Sequence, residues 1–299
     1  NIAAGANPIA IKRGMDKTLD VLFKEIDAMA QEIKDGQGIR NIAAVSASSN
    51  QEIGDKIGEC FEKTGKTGVV VIEEGKATDT IIEIVEGMQF DKGYASAYFC
   101  TNGEKMIAEM TAPNILITDK KITSAQEILP ILQHIASTGQ ELLIIADDID
   151  GDALSTPVVN KLRGTLKVAA VKAPGFGDRR KAMLEDIAVL TGAQVVSEEK
   201  GMLLREAEGD VLGRADQIVI GKEKTTIIGG KGDAAILKSR IAQIDGEIKQ
   251  ASSNYDKEKL EERKAKLQGG VAVIKVGAPT ESEMKQKKQL FEDSLNATR

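Results

Sequence analysis

The feature that most limits the fold of this chain is an alternation of short apolar runs with helical segments from residue 115 onward. The helical segments are about 10 to 15 residues long, which suits crossovers between parallel strands. The apolar runs are ILIT at 115–118, LLIIA at 142–146, KVAAVKA at 167–173, QVV at 194–196 and QIVI at 217–220. Runs of this kind are typical of strands that are buried on both faces of a sheet. The sequence therefore predicts an α/β fold with much parallel pairing.

The regions on either side of this alternation have other patterns. One amphipathic helix is predicted between Asn7 and Ala30, because apolar residues recur there at spacings of three and four. Residues 233–268 have the pattern of a charged helical hairpin that packs by one narrow apolar stripe. The other predicted elements are a helix at 49–63, strands at 68–75, 80–87 and 271–277, and a charged helix from residue 280.

Length and composition narrow the class of protein. A chain of 299 residues is long enough for about two domains. The longest apolar runs, such as 142–146, are far shorter than the ~18 residues of a membrane span, so no membrane partner is expected. The formal net charge of −6 argues against nucleic acid as the main partner. Two cysteines, Cys60 and Cys100, cannot form a disulfide framework, which favours a reducing compartment. Because the first residue is Asn1 rather than Met, we expect a piece of a longer protein.

Two glycine-containing motifs resemble phosphate-binding loops, but each lacks a defining residue. The motif GKT at 65–67 lacks the first glycine of a phosphate loop and follows a predicted helix instead of a strand. The motif KAPGFGDRRKAM at 172–183 has Arg180 where the dinucleotide fingerprint has its third glycine. We interpret it as a tight turn in which Asp178 caps a helix. The alternative is a dinucleotide-binding enzyme that uses the turn Gly175–Gly177.

Residues that could support metal or hydrolytic chemistry are scarce. His134 is the only histidine, which excludes a His-based catalytic triad and a multi-His metal site. Asp147, Asp148, Asp150 and Asp152 resemble a calcium loop, but the required glycine and bidentate glutamate are absent. Carboxylates before a helix also complement the positive end of its dipole. The sequence therefore predicts no metal site.

A cluster of aromatic residues is the first feature that points to binding. Aromatic residues are rare in this chain, yet four of the nine lie within ten residues. They are Phe90, Tyr94, Tyr98 and Phe99. Such a cluster marks either a binding edge or a small local core.

Two successive helices provide the second feature, because each has more apolar residues than one packed face needs. The first opens with Ser124 and Glu127 at the spacing of a capping box. Its apolar faces are Ile128, Ile131 and Ile135 on one side and Ala125, Leu129, Leu132 and Ala136 on the other. The second, at 152–163, contains Leu154, Val158, Val159 and Leu162. Either the surplus faces form a hydrophobic groove, or both helices are wholly buried.

Several segments resemble the bacterial-type, group I chaperonin family, and they follow the family order along the whole chain. They are EGMQFDKGYASAYF at 86–99, KAPGFGDRRKAM at 172–183, SEEKGM at 197–202, YDKEKLEERKAKLQGGVAVIKVGAPTE at 255–281 and the closing EDSLNATR. The resemblance implies a subunit of a double ring of seven plus seven that encloses unfolded polypeptide under a co-chaperonin lid. It also implies a heat-shock chaperone of the bacterial cytoplasm, with an organelle matrix as the alternative location.

The resemblance further implies a division into domains. Gly87 and the pair Gly269-Gly270 match the hinge of the family's apical domain. The family's phosphate loop is absent from this sequence, so we expect this chain alone not to hydrolyse ATP, although the full-length family uses ATP and Mg. The implied parts are residues 1–28 as a remnant equatorial helix, residues 29–85 with 272–299 as a smaller α+β intermediate domain, and residues 86–271 as an apical domain with a β-sheet core flanked by helices.

The resemblance also carries over individual functional residues. Asp293 matches the carboxylate that serves the attacking water and the metal-bound γ-phosphate in the family's ATPase. Lys92 and Glu281 match positions that pair between neighbouring subunits, although Lys lacks the bidentate fork of Arg. The polypeptide- and lid-binding positions fall on Tyr94, Ser96, Tyr98, Phe99, Leu129, Leu132, Gln133, Leu154, Val158, Val159, Asn160 and Arg163. Because this set includes the aromatic cluster and the two surplus faces, the resemblance favours the groove.

Pro157 departs from the family, which usually has Leu at this position. Inside a helix it would remove one backbone hydrogen bond and crowd the carbonyl of Ala153. Alternatively the helix begins later, with Thr156 as its N-cap and Pro157 as its first residue. In both cases the placement of Leu154 in the groove stays open.

Overall fold

Most of the segments that the sequence predicts to be helical form helices in the structure. The computed structural model describes residues 4–31, 33, 36–65, 68–75 and 77–298, so residues 66–67 of the GKT motif lie outside the described residues. The helices of these ranges are α1 (Pro8–Met29), α2 (Gly36–Ser46), α3 (Gln51–Thr64), α4 (Leu129–Thr138), α5 (Gly151–Leu162), α6 (Gly177–Thr191), α7 (Ala234–Gln250), α8 (Asn254–Gln268) and α9 (Glu281–Thr298). No helix in these ranges combines the length and the apolar character that a membrane span needs.

The strands form two main sheets. They are β1 (Val69–Glu74), β2 (Ile81–Val85), β3 (Gly87–Phe90), β4 (Ala108–Thr111), β5 (Asn114–Thr118), β6 (Lys121–Ile122), β7 (Glu141–Ala146), β8 (Asp148–Ile149), β9 (Lys167–Lys172), β10 (Val195–Val196), β11 (Gly213–Ile220), β12 (Thr225–Gly230) and β13 (Val271–Val276). A three-stranded sheet has the order β1-β13-β2, and an eight-stranded sheet has the order β3-β12-β11-β5-β7-β9, with β10 beside β5 and β4 beside β11. The predicted α/β fold is confirmed.

The parallel part of the larger sheet determines where its helices lie. Strands β5, β7, β9 and β10 pair in parallel, and nearly all of their residues are buried. The chain runs from β5 to β7 to β9 in one direction and then returns through α6 to β10. Because parallel crossovers are right-handed, this reversal places α6 on the opposite face from α4 and α5. Both faces of the parallel strands are therefore covered, and α4 and α5 share one side.

The smaller sheet is covered by α3 and α9, and α2 packs against these two helices. Its core includes Ile53, Ile57, Phe291 and Leu295, and the Ser294 hydroxyl donates a hydrogen bond to the Ala43 carbonyl over 2.6 Å. Helix α1 forms as predicted but buries none of its residues, so its apolar side chains are exposed.

The chain crosses between the two sheets twice. The first crossing is at Glu86, between β2 and β3, and the second is at Gly269-Gly270, between α8 and β13. Gly270 has a φ of +62°, and a Cβ there would lie 2.7 Å from the Val85 carbonyl oxygen, so this position requires glycine. A Cβ at Gly87 would collide with the Ile227 carbonyl oxygen. The predicted hinge function of these glycines and the predicted domain division stay predictions; the boundary after residue 271 falls one residue inside β13.

A buried carboxylate fastens the helical hairpin α7–α8 to the larger sheet's helix α6. Asp186 of α6 is fully buried and lies 2.7 Å from the Arg240 Nε of α7 and 2.5 Å from the Arg263 Nε of α8. The Arg240 and Arg263 side chains are only 15% and 11% exposed, so little water can replace Asp186 as their partner. This triad is a buried polar attachment of the hairpin, whereas the pair between Arg179 and Asp256 is exposed.

Removing the charge of Asp186 therefore should destabilise the protein strongly. We expect Asp186→Asn to lower the free energy of unfolding by about 3 kcal/mol, because two buried guanidinium groups lose their counter-charge. Urea denaturation measures this change. The matched control is Asp245→Asn, which breaks the exposed pair between Asp245 and Lys264 of the same two helices (2.6 Å). The control should cost less than about 1 kcal/mol, and equal losses would contradict the role assigned to Asp186.

A cleft of about 650 Å³ lies between the two sheets and contains an unfavourably placed carboxylate. Burial raises the pKa of Glu73, the ammonium of Lys275 opposes that shift, and the carboxylates of Glu83 and Asp216 add to it. Lys275 is itself paired with Glu83 at 2.6 Å. The charged form of Glu73 is therefore less stable in the folded state than in the unfolded state.

Neutralising Glu73 should stabilise the protein at neutral pH. A raised folded-state pKa gives a stability contribution that is present below the ordinary pKa of glutamate and lost as the pH rises. We expect Glu73→Gln to raise the Tm at pH 7 by about 1–2 °C and to have no effect near pH 4. Thermal unfolding at both pH values measures this difference. Glu74→Gln is the control, because Glu74 is exposed and paired with Lys288 at 3.0 Å; a rise in Tm for the control alone would contradict the account.

Candidate binding groove

The aromatic cluster contributes to both the core and the surface. The Tyr94 and Ala95 amides donate hydrogen bonds to the carbonyls of Gly221 (3.1 Å) and Ala170 (2.7 Å). A 3-10 turn follows at Ala97–Phe99, and the Ser96 hydroxyl accepts a hydrogen bond from the Tyr98 amide. This turn directs the Tyr98 side chain outward, where 65% of it is exposed.

One predicted member of the binding edge is instead a core residue. Phe99 is fully buried, as is Phe90, and both belong to the core of the larger sheet. Phe99 has no exposed surface in this structure, so it supports the turn from the core side, and its role in binding stays a prediction. Tyr94 is half-buried, and burial raises the pKa of its phenol. The cluster therefore has both predicted features. Phe90 and Phe99 belong to the core, and Tyr98 is exposed at the surface.

The two predicted apolar faces of α4 differ in their exposure. The Ser124 hydroxyl accepts a hydrogen bond from the Gln126 amide, but the first turn is a 3-10 turn, and the α-helix itself begins at Leu129. Ile128, Ile131 and Ile135 are buried, as the first apolar face predicts. On the second face Leu132 is only 4% exposed, whereas Leu129 and Gln133 are exposed. Leu132 therefore packs in the core of this structure, and its role in binding stays a prediction.

Helix α5 lies between the turn at Ala97–Phe99 and the turn at Ala125–Glu127. Pro157 lies inside this helix and is buried, so the helix does not begin at Thr156. Ala153 is also buried, and these two residues form the face that packs inward. The half-buried Leu154 and Val158 flank this face.

The outer face of α5 carries exposed apolar side chains. Val159 and Leu162 are exposed, the latter by 64%, and with Tyr98 and Leu129 they form what we call the α5 surface. Sequence reasoning placed Leu162 in this helix but did not assign it to the site. The sequence feature that could have identified Leu162 is its spacing of three from Val159, which puts the two side chains on one face of the helix.

Polar residues at the end of α5 have different roles. The Asn160 amide donates a hydrogen bond to the Thr156 carbonyl (2.9 Å), and the Thr165 hydroxyl donates to the Asn160 carbonyl (2.9 Å). Asn160 is thus engaged in ending the helix. Arg163 is exposed, and its side chain has no hydrogen bond or ion pair to any described residue. Its guanidinium is therefore available to a partner that binds beside the α5 surface.

The glycine-rich turn before α6 has the strand-turn-helix order of a nucleotide site but not its chemistry. Helix α6 begins at Gly177, and Asp178 is its second residue, so the prediction that Asp178 caps the helix is wrong. The Arg180 Nε donates a hydrogen bond to the Gly175 carbonyl (3.2 Å), and its guanidinium pairs with Asp147. A phosphate at this helix end would meet the Asp178 carboxylate.

A second apolar area lies at this turn and was not predicted. A cleft of about 700 Å³ between α6 and α8 is lined by Phe176, Met183 and Leu260, and the Phe176 side chain is largely exposed. The Lys92 Nζ lies 5.6 Å from the centre of the Phe176 ring. In the sequence, the glycines of this turn indicated a comparison with phosphate-binding loops and gave no sign of an apolar cleft.

The remaining predicted residues lie apart from the α5 surface. Asp293 is an exposed residue of α9, next to the buried Ser294. Glu281 pairs with Lys285 over 2.7 Å, which lowers the pKa of Glu281. Within the described ranges no group of three or more His, Cys, Asp or Glu side chains could hold a metal ion. The roles of Asp293, Glu281 and Lys92 stay predictions.

Comparisons with known proteins agree with the resemblance in the sequence. The sequence model of the TCP-1/cpn60 chaperonin family matches residues 1–299. One similar relative is chaperonin GroEL 3 of Protochlamydia amoebophila (strain UWE25), which is 63% identical over 299 residues. The match covers 100% of this chain but 56% of that relative, so the chain spans little more than half of the relative's length. The chain belongs to the TCP-1/cpn60 chaperonin family and, within it, to the GroEL-type group I chaperonins.

Proposed function

We propose that this chain acts as part of a chaperone and binds non-native polypeptides on the α5 surface. The observation that supports this proposal is the exposure of Tyr98, Leu129, Val159 and Leu162 on elements that are anchored in a rigid core. Native proteins bury most such side chains, whereas unfolded chains expose them. A surface of this kind selects its partners by their exposed apolar residues rather than by a particular sequence.

The expected affinity of one such surface is low. Each of the four exposed apolar side chains would contribute roughly 1.5–3 kcal/mol when a partner buries it. Association and ordering cost about 4–15 kcal/mol, so the two terms nearly cancel. Several copies acting on one polypeptide would bind it much more tightly through avidity. Such multivalency is what a ring assembly would provide.

We extend the proposal to the longer protein of which this chain matches about half. In that protein the α5 surface would also bind a co-chaperonin lid, which would displace the bound polypeptide. Exposed apolar side chains along α1 suit packing against a further part of a ring subunit that binds ATP and Mg. Asp293 would then serve the ATPase, and Lys92 and Glu281 would pair between subunits.

The proposal predicts that a charge on the α5 surface weakens binding. We expect Val159→Glu and Leu129→Glu each to reduce affinity for a reduced, alkylated polypeptide by about tenfold, because a carboxylate would be desolvated in the contact. Fluorescence anisotropy measures the affinity. Both side chains are exposed, so these changes should leave the Tm nearly unaltered.

The matched control is Ile236→Glu, since Ile236 is an exposed apolar residue of α7, which packs against α6 and α8. This variant should bind the polypeptide as well as the wild type does. Undiminished binding by both α5-surface variants, or an equal loss in the control, would contradict the proposal.

A further inference from the structure

Lys161 has an unusual set of contacts for a lysine on a largely exposed helix face. Its Nζ donates one hydrogen bond to the Tyr98 carbonyl and another to the Cys100 carbonyl, each over 2.8 Å. No carboxylate lies within ion-pair distance of this ammonium among the described residues. Burial lowers the pKa of Lys161. The side chain therefore connects α5 to the backbone of the turn that presents Tyr98.

The neighbouring segments are held in a different way. Before the turn, the Ala95 amide is bonded to the Ala170 carbonyl, and after it the Thr101 amide is bonded to the Ile107 carbonyl. Both are backbone hydrogen bonds, to β9 and within the following loop. Between these two points the backbone carbonyls of residues 98 and 100 are fixed to α5 by Lys161. Lys161 therefore links this turn to α5, in addition to the Ser96–Tyr98 hydrogen bond and the buried Phe99, which hold the turn to itself and to the core.

We infer that Lys161 is a positioning residue that holds Tyr98 in line with the outer face of α5. This inference rests on the proposed function, because it explains how one continuous binding surface is kept ready before a partner arrives. A preordered surface binds more tightly, since less conformational entropy is lost on association. Two of the three donors of the Lys161 ammonium are used by these carbonyls, so the part assigned to Lys161 is to position the turn.

The test replaces Lys161 and compares local order with binding. Lys161→Met keeps the length of the side chain and removes its donors, whereas Lys161→Arg keeps a cation that can donate to both carbonyls. Hydrogen exchange measures the backbone amides of residues 97–100, and stopped-flow fluorescence measures dissociation of a reduced, alkylated polypeptide. We expect exchange about tenfold faster in Lys161→Met, because two charge-assisted hydrogen bonds are lost. Dissociation should become several times faster, and Lys161→Arg should restore both rates.

The control region is the buried face of α4, residues 131–135, whose exchange rates should not change. Unchanged exchange at 97–100 in Lys161→Met, or faster exchange at 131–135 to the same extent, would overturn the inference. If Lys161→Met does not fold, Lys161→Ala provides the same comparison, because it also removes the donors. Absence of polypeptide binding by the wild type would instead refute the proposed function, while the exchange measurement would still decide the position of Tyr98.

Discussion

Burial of the parallel strands β5, β7 and β9 on both faces is the constraint on which the candidate site depends. The right-handed crossovers place α4 and α5 on one side of these strands and α6 on the other. Helix α5 covers its part of the sheet with two small or rigid residues, Ala153 and Pro157. Because its fully buried face is so narrow, Leu154 and Val158 are only half-buried, and Val159 and Leu162 remain exposed. The exposed α5 surface is thus a direct consequence of how the sheet is covered.

The order of secondary-structure elements could be predicted from the sequence because it depends on local periodicity. The short apolar runs became strands, and the glycines at 269–270 ended the helical hairpin. A periodic pattern shows which residues share a face, but tertiary packing decides which face turns to solvent. Leu129 and Leu132 lie on one predicted face, yet the first is exposed and the second is buried. Tyr98 and Phe99 are neighbours in the aromatic cluster, and they differ in the same way.

Other features had no local signal at all. Lys161 resembles any solvent-exposed lysine in the sequence, and its two carbonyl acceptors lie about sixty residues earlier in the chain. Asp186 reads as an ordinary charge of an amphipathic helix, although two arginines from other helices meet it in the core. Contacts of this range require the topology to be known. The sequence left two positions open for Pro157, in the interior of the helix or at its first residue. The structure has it in the interior of α5, where it is buried.

We propose that polypeptide binds along α5 and the neighbouring turn rather than at the other exposed apolar area, the cleft around Phe176. Hydrogen exchange of this chain, with and without a reduced, alkylated polypeptide at saturation, separates the two surfaces directly. We expect slower exchange at residues 96–100, 129–133 and 154–163, with no change around Phe176. Protection confined to the cleft between α6 and α8, with unchanged exchange along α5, would contradict it.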